Sequence, residues 1–65
     1  MPVIQVNLLA GRPVEAKRAF AANVTKLACE DLGVKPEQVR VIFNEMPHEN
    51  YAIAGTLVAD KRAGK

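Results

Sequence analysis

The sequence predicts an α/β fold: a single β-α-β unit with two parallel strands, one long helix and a C-terminal hairpin, which assembles as an oligomer. Two segments of alternating apolar side chains, residues 3–9 and 39–45, flank a segment with helical periodicity. Glycine and proline separate these segments. With 65 residues, the chain is expected to form one domain, 1–65, in which residues 60–65 are a frayed tail.

The first strand is predicted over residues 3–9 (VIQVNLL), which are rich in β-branched and apolar side chains. Side chains alternate between the two faces of a strand. One face therefore carries Ile4, Val6 and Leu8, and the other carries Val3, Gln5, Asn7 and Leu9.

The helix is predicted between Pro13, which suits a first helical turn, and Gly33, which suits a helix end. Apolar residues recur in it at helical spacing: Ala16, Phe20, Val24, Leu27, Ala28 and Leu32. A helix of about 20 residues is about 30 Å long. That length can return the chain so that the second strand runs parallel to the first.

The second strand is predicted over residues 39–45 (VRVIFNE), with Val39, Val41 and Phe43 on one face. After it, Pro47 and Gly55 indicate a loop followed by a short hairpin. One helix covers one face of such a sheet, whereas parallel sheets are nearly always covered on both. The uncovered face and the open edges therefore predict self-association.

Composition narrows the class of protein. Cys29 is the only cysteine, so neither an internal disulfide nor a cysteine-based metal site is expected. Small chains without disulfides or metals usually depend on partner subunits. The sequence has no apolar run of membrane-spanning length and no basic region before its first apolar stretch. We therefore expect a self-associating cytosolic protein with no membrane partner.

The charge pattern argues against nucleic-acid binding. The net charge is +2 and the pI is about 9.0, but residues 1–59 carry six basic and six acidic side chains. The excess lies in the last residues, DKRAGK. A nucleic-acid-binding domain normally has a basic face on its folded body, and this body is neutral.

One group of residues suggests chemistry. If Met1 is removed, Pro2 becomes a secondary amine, and nearby cations and apolar walls would lower its pKa towards that of a usable general base. Arg12 and Arg40 could hold a carboxylate and stabilise an enolate beside it. The other interpretation is that the two arginines form ordinary salt bridges, and spacing alone favours it. Cys29 is expected to be a packed thiol, Glu45 an exposed or paired carboxylate, and Met46 a packing residue.

Three segments change that balance: the opening PVIQVNLLAGRP, the segment VRVIFNEM and the closing YAIAG. From Pro2 to about Leu57, the chain resembles short-chain members of the 4-oxalocrotonate tautomerase family. The resemblance implies β-α-β subunits that assemble into a homohexamer, a trimer of dimers. It also implies isomerisation of 2-hydroxydienoates, such as 2-hydroxymuconate, to conjugated 2-keto acids without cofactor or metal, in aromatic-compound degradation.

By position, the resemblance assigns roles to individual residues. Pro2 would be the general base, Arg12 would hold the distal carboxylate, and Arg40 of a neighbouring subunit would bind the 2-hydroxy or keto oxygen. Leu9, Tyr51 and Ile53 would line the same pocket. Tyr51 stands where the family usually has phenylalanine, and Ala52 and Ala54 stand in a segment that is commonly rich in glycine.

Two alternatives remain beside the tautomerase. The same base and arginines could serve a hydratase, dehalogenase or decarboxylase acting on a small unsaturated acid. The third possibility is a non-catalytic oligomeric or DNA-binding protein, against which the neutral body argues.

Overall fold

A computed structural model, which describes residues 1–62, confirms the predicted β-α-β unit. Its elements are strand β1 (Val3–Leu9), helix α1 (Val14–Leu32) and strand β2 (Arg40–Met46). The strands pair in parallel, with Val3 opposite Arg40 and Leu9 opposite Met46. The second strand begins one residue later than predicted because the Val39 N–H closes a 3-10 turn, Pro36–Gln38, by donating to the Pro36 carbonyl oxygen.

The predicted C-terminal hairpin is present and very short. Strands β3 (Ala52–Ile53) and β4 (Thr56–Leu57) pair antiparallel around Ala54 and Gly55, which both have positive φ angles, 53° and 83°. A final helix, α2 (Val58–Arg62), follows directly. The predicted tail of residues 60–65 therefore begins inside a helix, and residues 63–65 lie outside the described residues. Within residues 1–62, neither helix is long and apolar enough to cross a membrane.

The strand faces agree with the predicted alternation. Half-buried residues point towards α1 from both strands: Ile4, Val6, Leu8, Val41 and Phe43. The Phe20 and Phe43 rings meet edge to face, with centroids 6.1 Å apart. On the opposite face, which we call the open face, Val3 and Ile42 are 44% and 49% exposed. The structure thus places apolar side chains on a face that its own helix does not cover.

The helix packs on the sheet with only part of the predicted stripe: Phe20 contacts Phe43, Val24 is half-buried and Ala28 is buried. Its buried and half-buried residues are Lys17, Ala21, Val24, Thr25, Ala28 and Cys29. Val24 and Ala28 belong to the predicted stripe, but Leu27 and Leu32 are 55% and 62% exposed. Two strands about 4.8 Å apart make a sheet too narrow to cover the whole apolar face of a helix about 10 Å wide.

A single chain has little core of its own. Among the described residues, only Ala28 and Val58 are buried apolar residues. The radius of gyration is 15.4 Å, whereas a compact chain of this length would have about 11 Å. A chain that buries so little surface needs further contacts to be stable, which agrees with the predicted self-association.

Gly33 ends α1 in the left-handed conformation, with φ 68°, and its N–H donates to the Cys29 carbonyl oxygen at 3.1 Å. Apart from Gly33 and its two chain neighbours, no atom of residues 1–62 lies within 4 Å of the place a Cβ would occupy, so alanine would meet backbone strain and no clash. We expect Gly33→Ala to lower the free energy of unfolding by about 1 kcal/mol. Urea unfolding at one fixed protein concentration measures this change. Gly33→Asn should lose less, because asparagine adopts this conformation more readily; equal stability of the alanine variant and the parent would contradict the prediction.

Candidate active site

Pro2 and Arg40 are neighbours at the end of the sheet where both strands begin. Pro2 is half-buried, and its carbonyl oxygen accepts a hydrogen bond of 3.0 Å from the Arg40 backbone N–H. The Arg40 side chain is exposed, and its guanidinium donates to the Glu37 carbonyl oxygen. A guanidinium has five N–H donors in a fixed fork, so this contact leaves most of them available to an anion.

A pocket of about 330 Å³ opens at the other end of the sheet, where both strands finish. It is lined by Asn7, Leu8, Leu9, Arg12, Met46 and Tyr51. Gly11, with φ 132°, turns the chain out of β1 and so brings Arg12 to the pocket. Arg12 Nη1 lies 3.5 Å from the Leu9 carbonyl oxygen, too far for a firm hydrogen bond. The guanidinium is therefore free to pair with an anion.

The candidate residues of one chain thus form two groups, which lie at opposite ends of the sheet. The structure brings Pro2 next to Arg40, and it brings Leu9, Arg12 and Tyr51 into one pocket. The seven residues of β1 separate the groups by roughly 20 Å. Ile53 does not line the pocket; it pairs with Thr56 in the hairpin and is 47% exposed. One small substrate cannot reach both groups within a single chain.

Asn7 and Met46 also line the pocket, although neither was predicted as a site residue. Asn7 and Leu9 share the open face because they are two residues apart on one strand. Met46 joins them because it lies opposite Leu9 in the register. The alternation in β1 could have indicated Asn7 from the sequence, whereas the position of Met46 depends on the register. Apolar walls with a few polar donors are typical of sites for small organic ligands.

A second pocket, of about 380 Å³, lies between α1 and the sheet. Its walls are mostly apolar: Val6, Leu8, Ala16, Phe20 and Phe43, with Arg12 and Lys17 beside them. Lys17 Nζ is 2.6 Å from Glu45 Oε1. This contact agrees with the prediction that Glu45 is a paired carboxylate, and it neutralises the lysine charge. Arg12 borders both pockets, and no carboxylate within residues 1–62 forms a salt bridge with it.

Comparison with known proteins places the whole chain among proteins of one kind. The sequence profile of a family described as tautomerase enzymes matches residues 2–61. A solved 4-oxalocrotonate tautomerase isozyme from Methylibium petroleiphilum superposes with a TM-score of 0.91 and 42% identity, covering 98% of this chain and 100% of that one. The 2-hydroxymuconate tautomerase of Comamonas testosteroni is 38% identical, covering 100% of both chains.

One further solved structure is a heterohexameric 4-oxalocrotonate tautomerase from Chloroflexus aurantiacus J-10-fl. It superposes with a TM-score of 0.85 and 27% identity, covering 92% of this chain and 97% of that one. The likeness in sequence and in fold therefore extends over nearly the full length of this chain.

Proposed function

This chain belongs to the tautomerase family, and from that premise we propose that it is a cofactor-independent isomerase of 2-hydroxydienoates such as 2-hydroxymuconate, with conjugated 2-keto acids as products. The observation that carries the proposal is the pocket in which Arg12, which has no salt-bridge partner among residues 1–62, lies beside Leu9, Met46 and Tyr51. Such a pocket suits a small unsaturated acid. A relative named 2-hydroxymuconate tautomerase supports the substrate class.

Pro2 is the general base in this proposal. Removal of Met1 converts the Pro2 nitrogen from an amide, which has no basic lone pair, into a secondary amine. The amine takes the proton of the 2-hydroxyl group and delivers it to C5 of the dienol. The oxygen–hydrogen electrons form the C2 carbonyl, the C2–C3 double bond moves to C3–C4, and the C4–C5 pair forms the new C5–hydrogen bond. One proton moves and no redox step occurs, so the reaction needs no electron acceptor.

The two arginines stabilise the negative charge that develops on the substrate during this proton transfer. Arg40, which the family resemblance assigns to a neighbouring subunit, binds the 2-hydroxy or keto oxygen and stabilises the oxyanion that forms there. Arg12 holds the distal carboxylate as an ion pair, with two parallel N–H donors. The substrate is thereby fixed between two cations. Leu9 and Tyr51 form the wall beside it, and we place Ile53 on the same wall in the assembled protein.

The site needs more than one chain, because β1 keeps Pro2 and Arg12 roughly 20 Å apart. Within residues 1–62 the sheet has two strands, so one edge of β1 has no partner strand in the described part of the chain. Two β1 strands that pair antiparallel about a two-fold axis would bring Pro2 of one subunit to Leu9 and Arg12 of the other. We propose a homohexamer made of three such dimers, in which the open faces of the sheets become buried.

A substitution at Ile42 tests whether the open face is buried in the proposed hexamer. Ile42 is 49% exposed in the single chain, and a charge there would have to be buried in the proposed hexamer. We expect Ile42→Lys to reduce the particle mass measured by analytical ultracentrifugation from hexamer to smaller species. Asn23→Lys is the matched control, because it adds the same charge at an exposed position on α1. An unchanged hexamer in Ile42→Lys would show that the open face stays free.

Product analysis tests the reaction itself. We expect protein whose mass shows loss of Met1 to ketonise 2-hydroxymuconate far faster than buffer does, and proton NMR in D₂O to show deuterium at C5 of the product. Hydration, loss of halide or loss of CO₂ would give different products from suitably substituted acids, so the same assay separates those reactions. A background rate with 2-hydroxymuconate would contradict the proposed function.

A further inference from the structure

We propose that Asn7, held in place by Asn44, is a specificity-determining residue that binds the distal carboxylate of the substrate together with Arg12. This inference rests on the proposed function, since it extends the same pocket. It predicts that the enzyme prefers substrates with a carboxylate at each end over substrates that have only one.

The position of Asn7 is the first observation. Asn7 lies on the open face of β1, two residues before Leu9, and it lines the 330 Å³ pocket with Arg12. Tyr51 and Met46 complete the apolar part of the wall. An amide and a guanidinium therefore border one small pocket whose other walls are mostly hydrocarbon and a phenol ring.

The second observation is the contact that orients the amide. Asn44 lies directly opposite Asn7 in the parallel register, and its Nδ2 donates to Asn7 Oδ1 at 3.0 Å. This hydrogen bond occupies the Asn7 acceptor and uses neither of its two N–H donors. Asn44 thus restrains the plane of the Asn7 amide while leaving the donors for a ligand.

The number of N–H donors on Asn7 and Arg12 indicates which ligand group these two side chains suit. A carboxylate offers about four lone-pair sites, and a bidentate arginine fills two of them. An amide N–H can fill another, and a hydrogen bond to a charged group is stronger than one between neutral groups. A site that depends on such a donor discriminates against an analogue without the acceptor, because its polar groups then stay unpaired.

The test compares two substrates that differ only at the distal end. 2-Hydroxymuconate carries the distal carboxylate, and 2-hydroxypenta-2,4-dienoate lacks it. We expect Asn7→Asp to lower kcat/KM for 2-hydroxymuconate by about a hundredfold, since a carboxylate replaces two donors and repels the substrate. The loss for 2-hydroxypenta-2,4-dienoate should be less than about threefold. The aspartate oxygen can still accept the Asn44 hydrogen bond, so this variant retains the observed contact.

Two further variants separate binding from structure. Asn23→Asp makes the same amide-to-carboxylate change at an exposed position on α1, outside the pocket lining. It should change both substrates equally. Asn44→Ala removes only the restraint on Asn7, and we expect it to raise KM for 2-hydroxymuconate about threefold while kcat changes little. A rise in KM with little change in kcat is the result expected of a residue that positions a substrate-binding side chain.

Equal losses of both substrates in Asn7→Asp, or no loss in either, would overturn the inference while leaving the proposed function in place. If the parent protein ketonises neither substrate, the proposed function fails, and calorimetry then tests Asn7 independently of activity. Adipate has a carboxylate at each end and hexanoate has one. Asn7→Asp should weaken adipate binding about tenfold more than hexanoate binding, and equal effects would overturn the inference.

Discussion

Protein with any residue attached in front of Pro2 is expected to turn over 2-hydroxymuconate at the background rate, whereas protein that begins at Pro2 is expected to be active. The reason is covalent chemistry: an acylated Pro2 nitrogen is an amide and cannot take up a proton at working pH. A general base contributes about 10²–10⁴-fold to an enzyme rate. Its loss should therefore be among the largest effects of any single change in this chain.

The measurement uses one preparation with a cleavable N-terminal extension, assayed before and after cleavage, with intact mass to define the new N-terminus. After cleavage, kcat/KM should rise with pH through a single apparent pKa below that of an ordinary secondary amine. The sign follows from the role, because only the unprotonated amine accepts the substrate proton. Pro2→Ala retains a primary amine and should be slower by about a hundredfold. Equal activity before and after cleavage would rule out Pro2 as the base.

Two inactive proteins are expected to regain activity when their chains are mixed. One has Pro2 blocked by an extension, and the other is Arg12→Ala. If each site takes Pro2 from one chain and Arg12 from its partner, random assembly of equal amounts restores about a quarter of the parent activity. The physical reason is the length of β1, which holds the two groups roughly 20 Å apart in one chain.

The experiment mixes the unfolded chains and refolds them together, then compares kcat/KM with each variant refolded alone. A chain that carries both changes is the control, because mixing it with the Pro2-blocked chain supplies no free Pro2. No recovery in the main mixture would show that Pro2 and Arg12 act within one chain. A parallel mixture of the Pro2-blocked chain with Arg40→Ala shows whether a site takes Pro2 and Arg40 from the same chain. Recovery places Arg40 in a neighbouring subunit, and its absence places it in the same chain as Pro2, where the two backbones are already hydrogen-bonded.

Local patterns were sufficient to predict the β-α-β unit and the hairpin, but not helix α2 (Val58–Arg62), part of which was predicted as a frayed tail. Alternation in residues 3–9 gave the correct strand and the correct face for Ile4, Val6 and Leu8. Gly33 correctly marked the end of the helix. Helices commonly end at a glycine in the left-handed conformation, and Gly33 has that conformation in the structure. The second strand was displaced by one residue, since the 3-10 turn at Pro36–Gln38 depends on a hydrogen bond that strand periodicity does not reveal.

The helix stripe shows where local patterns are insufficient. Periodicity identifies which helix residues are apolar, but the packing partner decides which of them are covered. The two-stranded sheet covers Val24 and Ala28 and leaves Leu27 and Leu32 exposed. Those leucines belong to the predicted apolar stripe, and in the single chain they form exposed apolar surface.

The sequence by itself determined the β-α-β order, the strand faces, the hairpin and, through the family resemblance, the candidate residues Pro2, Arg12 and Arg40. Only the tertiary structure decided which of them meet: Arg40 adjoins Pro2, Arg12 lies at the far end of the sheet, and Asn7 enters the Arg12 pocket. The physical reason is the separation along the chain of the residues that determine each feature. Side-chain direction repeats within a few residues of one element, whereas the meeting of distant residues depends on strand direction and register, which are set by the packing of the whole chain.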